Sequence, residues 1–324
     1  MKSWLAIFLP AGLAACASLP ETTKVTAFGT AVDAGVTVVR QVGVENASIA
    51  LLYDKEAQAG RYMCGDEWEA VTKPKSSIKP EEIAFRIKRL EALAAYASAL
   101  KTATDQSGVD KLADAANNLI VTATSLVAAS APAAAPLVAP IGKIVGKGVG
   151  LAIQDRYARQ VNSIIAVTDP SLQKLVSQLV TDMSKVERAS QKTLNDYKIA
   201  RDVNLENMRI QQIVVSKGTD TPPDTFRCID GEKFDPTGPN VKVILNETED
   251  RGAVHDRLIA GIDEEIAAQA AIEAANRSGP VLKKIAVTHH ALAQQSPDTN
   301  ADIRELLSLT DALADLVSAA KKEK

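Results

Sequence analysis

Apolar residues recur at steps of three and four along most of this chain, a spacing that gathers side chains on one face of an α-helix. The first such stretch contains Val25, Phe28, Val32, Val36 and Val39 at these steps. Later interruptions fall at prolines and glycines, which predict where helices begin and end. The pattern predicts helices over roughly 25–59, 81–106, 109–130, 171–215, 253–277, 280–295 and 299–321, with a further helix ending near 167.

Two segments lack this pattern, residues 60–80 and residues 217–251. The second contains Asp230-Gly231, a dipeptide that suits the two-residue turn of a β-hairpin. Because short links between helices are typical of antiparallel neighbours, the remainder favours a bundle. The predicted fold class is mainly α, an elongated multi-helix bundle over 25–324 with a small β-hairpin or loop cap.

The cap holds aromatic residues that are scarce elsewhere, since aromatics make up 4% of the chain. Rigid aromatic side chains on loops often anchor interfaces, so Trp68, Phe226 and Phe234 form the candidate partner surface. An equally open interpretation is a small satellite core beneath a loop.

The segment 119–153 is the least polar part of the body. From Leu119 to Gly142 no charged residue occurs over 24 positions, although three prolines interrupt the run. We interpret it as a buried helix end followed by an Ala/Pro elbow, with a membrane span or in-plane membrane contact as the alternative. Gly142, Gly146 and Gly150 share one helical face and are candidate helix-packing glycines, in a soluble bundle or in lipid.

The first sixteen residues follow a different pattern, with a positive start at Lys2, a short apolar run and small residues before Cys16. This order is typical of a secretory signal peptide and is too short for a mature transmembrane helix. Its Leu-Ala-Ala-Cys ending resembles the lipobox of bacterial lipoproteins, and the resemblance is confined to this segment. It implies removal of residues 1–15, acylation of Cys16 with chains such as palmitate, and a lipidated tether over 16–24.

The residues after Cys16 and the remaining cysteines extend this prediction. Ala17 and Ser18 follow, with no Asp in second place. In Gram-negative lipoproteins this pattern implies sorting to the outer membrane, facing the periplasm. The alternative is an ordinary cleaved signal with a coincidental cysteine. An oxidising compartment predicts a disulfide between Cys64 and Cys228, with two free thiols as the alternative.

Charge and candidate chemistry narrow the function classes. With 37 basic and 40 acidic residues, the chain has no excess positive charge to favour nucleic acid. The three histidines, His255, His289 and His290, lack zinc-pair spacing and are predicted to lie at the surface or bundle edge. No motif predicts a cofactor, a metal or catalytic residues.

The sequence therefore predicts a lipoprotein held in the outer membrane through Cys16, acting as a binding or scaffolding module for a protein of the cell envelope. A membrane-inserting or self-assembling lipoprotein using 119–153 is the alternative. An uncharacterised periplasmic enzyme comes third, and the oligomeric state stays open.

Overall fold

Six long α-helices form a bundle in the computed structural model, which describes residues 21–63, 71, 80–103, 106–128, 153–217 and 251–321. No strand occurs among these residues, so the predicted helical bundle is confirmed, whereas the predicted β-hairpin cap lies outside them. The helices are α1 (Glu21–Met63), α2 (Pro80–Thr102), α3 (Gln106–Ala128), α4 (Ile153–Lys217), α5 (Arg251–Ala293) and α6 (Thr299–Lys321).

The three longest helices, α1, α4 and α5, form the frame of the bundle. Helices α4 and α5 are antiparallel, because Asp169 of α4 contacts His289 of α5, and Arg201 further along α4 contacts Gly261. At 1.5 Å per residue, the 65 residues of α4 span about 98 Å. Helix α1 is also antiparallel to α5, and therefore parallel to α4.

The larger core lies in what we call the base, where α2, α3 and α6 pack around the three long helices. Helices α1 and α2 approach closely there, and a Cβ on Gly29 would lie 2.7 Å from the carbonyl oxygen of Ala97. A larger residue at position 29 would therefore push the helices apart. The biggest wholly buried side chains of this core are Phe28, Leu93, Tyr96, Leu100, Leu112, Leu119, Ile164, Ile165, Leu172 and Leu175.

A second, smaller core leads from the base into a three-helix stalk. It contains Ile49 of α1, Leu194 and Tyr197 of α4, and Ile272 of α5, with Ala320 near the end of α6. Beyond this level the described chain continues only in α1, α4 and α5. We define the stalk as residues 52–63, 197–217 and 251–268.

The sequence pattern predicted two helix breaks that the structure does not have. Helix α4 continues through Pro170, and α5 continues through Pro280, so the separate helices predicted from 171 and 280 are wrong. An interior proline costs about 3 kcal/mol because it removes a hydrogen bond and crowds the preceding turn. Each buried Leu or Val that follows contributes roughly 1.5–3 kcal/mol, so the packing of Leu172, Leu175 and Val281 outweighs that cost.

Helix α1 is longer than its pattern predicted. It begins at Glu21 rather than near residue 25, and it continues through Gly60 to Met63. Helix α2 begins at Pro80, where the fixed φ of proline suits a first turn. In α3, Leu119 and Ala123 are buried, as expected for the start of the uncharged segment.

Helix α5 ends in a Schellman motif that turns the chain into α6. The amide of Ser296 donates to the carbonyl of Ala291 at 2.8 Å, and the amide of Gln295 donates to that of Leu292 at 3.1 Å. Gln295 adopts a left-handed φ of 54°, a conformation usually taken by glycine.

Candidate functional site

The site residues predicted from the sequence fall outside the described part of the chain. They therefore stay predictions, and the structure brings none of them into a described contact. They are Cys16, Cys64, Trp68, Gly142, Gly146, Gly150, Phe226, Cys228 and Phe234.

The structure instead assembles a polar cluster inside the base. The imidazole of His289 is wholly buried, so its prediction as a surface or edge residue is wrong. Its Nδ1 lies 2.8 Å from Oδ1 of Asp169, and its Nε2 lies 2.9 Å from the Tyr96 hydroxyl. Nδ1 of His290 lies 2.7 Å from the other oxygen of Asp169, and Nε2 of Gln173 donates to Asp169 at 3.1 Å. The cluster thus joins α2, α4 and α5.

Burial and these contacts fix the protonation states in the cluster. Burial lowers the pKa of His289 and outweighs the attraction of the Asp169 carboxylate. Burial would raise the pKa of Asp169, but hydrogen bonds from His289, His290 and Gln173 hold it well below its usual range. Burial also raises the pKa of the Tyr96 phenol. Neutral His289 therefore donates a hydrogen bond from Nδ1 to ionised Asp169 and accepts one at Nε2 from the Tyr96 hydroxyl.

The hydrogen-bonded chain Tyr96–His289–Asp169 resembles a catalytic relay, but a substrate could not reach its tyrosine or its imidazole. Tyr96 and His289 have no exposed surface, Asp169 has 11% of its side chain exposed, and His290 is the more open member with 57%. Among the described residues, no group of three or more His, Cys, Asp or Glu side chains is placed to hold a metal ion. The cluster therefore acts as a structural polar link between three helices.

The stalk contains a second polar network. Glu56 of α1 is 5% exposed and accepts a hydrogen bond at 2.8 Å from Nδ2 of Asn204 on α4. Arg257 of α5 forms ion pairs with Glu56 and with Glu264, and the Tyr197 hydroxyl donates to Glu264 at 2.5 Å. Because a buried charge is costly unless it is paired, this network fixes how the three helices align.

A further set of contacts binds α4 to α5 along the same stretch. Arg201 donates to the carbonyl of Gly261 and to the carboxylate of Glu265, both at 3.2 Å, and its guanidinium lies 5.7 Å from the centre of the Tyr197 ring. Lys198 pairs with Glu265 at 2.5 Å. Charge-assisted hydrogen bonds from Lys198 and Arg201 thus hold α4 against α5.

The opposite side of α5 in the stalk is apolar and exposed. Leu258, Ile259, Ile262 and Ile266 are 42–54% exposed and occupy one flank of the helix, because steps of four return to nearly the same direction. We call these four residues the α5 stripe. Isolated apolar residues on a surface are ordinary, but contiguous ones mark interaction sites.

A groove opens between α1, α2 and α4 where the base meets the stalk. Its volume is about 550 Å³, within the range of small-molecule sites. Most of its surface is aliphatic, and it carries a few charged groups. The described residues lining it are Val39, Arg40, Gly43, Val44, Asn46, Ala47, Ala50, Arg86, Ile87, Leu90, Glu91, Met183, Val186, Ala189, Ser190 and Thr193.

Sequence reasoning missed all of these sites because their members are far apart in the chain. Asp169 and His289 are 120 residues apart, and Glu56 and Arg257 are 201 apart. The α5 stripe was missed as well, although its signal is local: four large apolar residues over nine positions exceed what one buried face needs.

Within the described helices, no segment is both long and apolar enough to cross a membrane. No protein-family model matches the chain, and neither a curated protein nor a solved structure matches it.

Proposed function

We propose that this protein is an outer-membrane lipoprotein whose periplasmic helix bundle binds or scaffolds another protein of the cell envelope. The observation that carries the proposal is the α5 stripe, an exposed apolar face on a charge-stabilised stalk. The partner that fits it is a protein with an apolar face of its own, such as one side of an amphipathic helix.

The position of the stalk relative to Cys16 supports a tethered role. Only residues 17–20 separate Cys16 from Glu21, the first residue of α1, so at most about 18 Å of chain joins them. From Glu21, α1 extends to Met63 over about 64 Å. Acylation at Cys16 would hold the start of α1 at the membrane and present the stalk tens of ångströms away from it.

The energetics of the stalk also fit a binding surface. The network of Glu56, Asn204, Arg257 and Glu264 aligns the three helices without using the outer flank of α5. The stripe is therefore held in place before any partner arrives, which reduces the ordering cost of binding. Burying aliphatic side chains that are now half exposed supplies the favourable free energy.

The test is photo-crosslinking in cells from position 262 of the full-length lipoprotein. A photoreactive amino acid replaces Ile262, and the matched control carries it at Asp311, an exposed residue of α6. We expect a discrete adduct with one envelope protein from position 262 and none from position 311. A Cys16→Ala change, which removes the acylation site, should weaken the adduct.

Other adducts would contradict the proposal. Equal labelling from positions 262 and 311 would show that the stripe has no specific partner. If position 262 gave only self-adducts or lipid adducts, the binding role would fail, and the membrane-inserting or self-assembling alternative would replace it.

A further inference from the structure

The groove between α1, α2 and α4 has room that the described residues do not fill. A Cβ built on Gly43 would meet no atom of the described residues within 4 Å, whereas one on Gly29 of the same helix would clash with backbone. At the rim, Val44 is 64% exposed and Ile87 is 45% exposed. A cavity of about 550 Å³ with uncovered aliphatic walls is favourable for an apolar ligand.

The lining selects the shape of that ligand. Among the described residues of the wall, the apolar side chains are all aliphatic or methionine, including Leu90, Met183 and Val186. The described lining residues include no aromatic ring that could stack on a planar ligand. A flexible methionine adapts its shape to an irregular apolar occupant. The wall therefore fits an alkyl chain better than a ring system.

The charges at the groove select the other end of the ligand. Among the described lining residues, Arg40 and Arg86 are the cationic side chains and Glu91 is the anionic one. Arg40 is exposed and forms no ion pair with another described residue. A guanidinium in this position can donate two parallel hydrogen bonds to a carboxylate or a phosphate.

From these observations we propose that the groove binds a single-chain anionic amphiphile, with the alkyl chain against α1 and α4 and the anionic head at Arg40. Fatty acids and lysophospholipids share this chemistry. The inference is independent of the proposed function, since it rests on a different surface from the α5 stripe.

The experiment uses membranes from cells that produce the full-length chain. A palmitate analogue carrying a photoreactive diazirine is added, the sample is illuminated, and labelled peptides are located by mass spectrometry. We expect label on the segments 39–50 of α1 and 183–193 of α4. Unlabelled palmitate should remove it by competition, a readout that needs no variant. Label acquired at Cys16 by acylation lies on a separate peptide.

A matched pair of substitutions tests occupancy of the groove. Gly43→Phe places a ring in the open space and should abolish the label, whereas Gly43→Ala leaves most of the volume and should retain it. Both variants should keep the helical circular dichroism signal and melting temperature of the parent. Equal labelling of both variants would overturn the proposal.

A second comparison tests the anionic head. The corresponding neutral alcohol should label the parent more weakly than the palmitate analogue, and an Arg40→Gln change should remove that difference. Unlabelled lysophosphatidylglycerol and unlabelled palmitate are then compared as competitors of the label. The one that removes the label at lower concentration shows whether the groove prefers a lysophospholipid or a fatty acid.

Three results would contradict the assignment. Uniform label over all exposed helices would show non-specific partitioning. Absence of label from the groove would show that another occupant, such as residues 129–152 or a second copy of the chain, already fills it. Preference for the neutral alcohol would show that Arg40 does not select the head.

Discussion

The imidazole of His289 shows how a single buried polar side chain can couple three helices to the protonation of the protein. It accepts a hydrogen bond from the Tyr96 hydroxyl, donates one to Asp169 and contacts the ring of Phe28 at a centroid distance of 5.8 Å. A second proton on its Nε2 would place a positive charge in a wholly buried site, and burial outweighs the attraction of the Asp169 carboxylate. Protonating His289 therefore opposes folding.

The sign of the resulting pH dependence follows from the lowered pKa. Below the ordinary value of 6.5, unfolded His289 binds a proton that the folded protein excludes, so stability is complete above 6.5 and is lost as pH falls. Asp169 has the same sign in a lower window, below its ordinary value of 3.8. We expect the free energy of unfolding to fall by up to about 1.4 kcal/mol per pH unit below pH 6.5.

Urea unfolding at about pH 7.5 and about pH 5.5 measures this dependence. His289→Gln should flatten it over that interval, at the expense of some stability at both values. His290→Gln is the control, because it keeps the buried imidazole and should keep the slope. An unchanged slope in His289→Gln would assign the titration to another group.

At the scale of the element, the turn after α5 retains a strained residue. Gln295 adopts a left-handed backbone conformation that costs a residue with a Cβ about 1–2 kcal/mol. Both hydrogen bonds of the Schellman motif depend on that conformation. The rest of the turn therefore overrides the local preference of position 295.

Gln295→Gly should raise the free energy of unfolding by about 1 kcal/mol, because glycine takes the same φ without the clash. Thermal unfolding monitored by circular dichroism gives the change. Gln294→Gly is the neighbouring control, since residue 294 has no positive φ, and it should lower stability. A fall in stability with Gln295→Gly would mean that its side chain contributes more than the strain costs.

The presence of the helices could be predicted from the sequence, but the continuity of two of them through interior prolines could not. Spacing alone placed α2 and α6 well, because Pro80 opens one and the buried series Ile303, Leu306, Leu313 and Val317 marks the other. The helices containing interior prolines were divided wrongly, because the packing that compensates for a proline comes from other helices. The local sequence shows the free-energy cost of the proline, but it does not show the packing against other helices that offsets this cost.

The contacts that define the candidate surfaces could not be predicted from the sequence either, because they also join residues of different helices. In the sequence Asn204 is an ordinary polar residue. Only the fold brings its Nδ2 within 2.8 Å of the carboxylate of Glu56, which lies on another helix. The groove depends on three helices meeting around Gly43, whose lack of a neighbour is a property of the assembled bundle.

At the scale of the whole molecule, base and stalk combine apolar packing and paired charges in different proportions. The base has a large apolar core beside the Asp169 cluster and the Arg89–Asp182 pair, whereas the stalk has a small core and the network around Glu56. Apolar packing tolerates small shifts between helices, but paired charges do not, because a displaced partner leaves a charge buried. Because the stalk has less apolar packing, its alignment depends more on its paired charges.

The continuous α4 predicts the overall dimension. In small-angle X-ray scattering on a Cys16→Ser variant, which cannot be acylated, we expect a maximum dimension of at least about 98 Å. A break at Pro170 that folded the two halves together would give a clearly smaller value. A Pro170→Ala variant is the control and should leave the dimension unchanged.

The parallel course of α1 and α4 also has a mechanical consequence. In the proposed arrangement, the membrane holds the start of α1 while a partner pulls on the stalk, so tension runs along the helix axes. Such a load acts in shear on every lateral contact between α1, α4 and α5 at once, including the Glu56–Arg257 pair. A bundle loaded in this direction resists extension far better than one whose helices are peeled apart contact by contact.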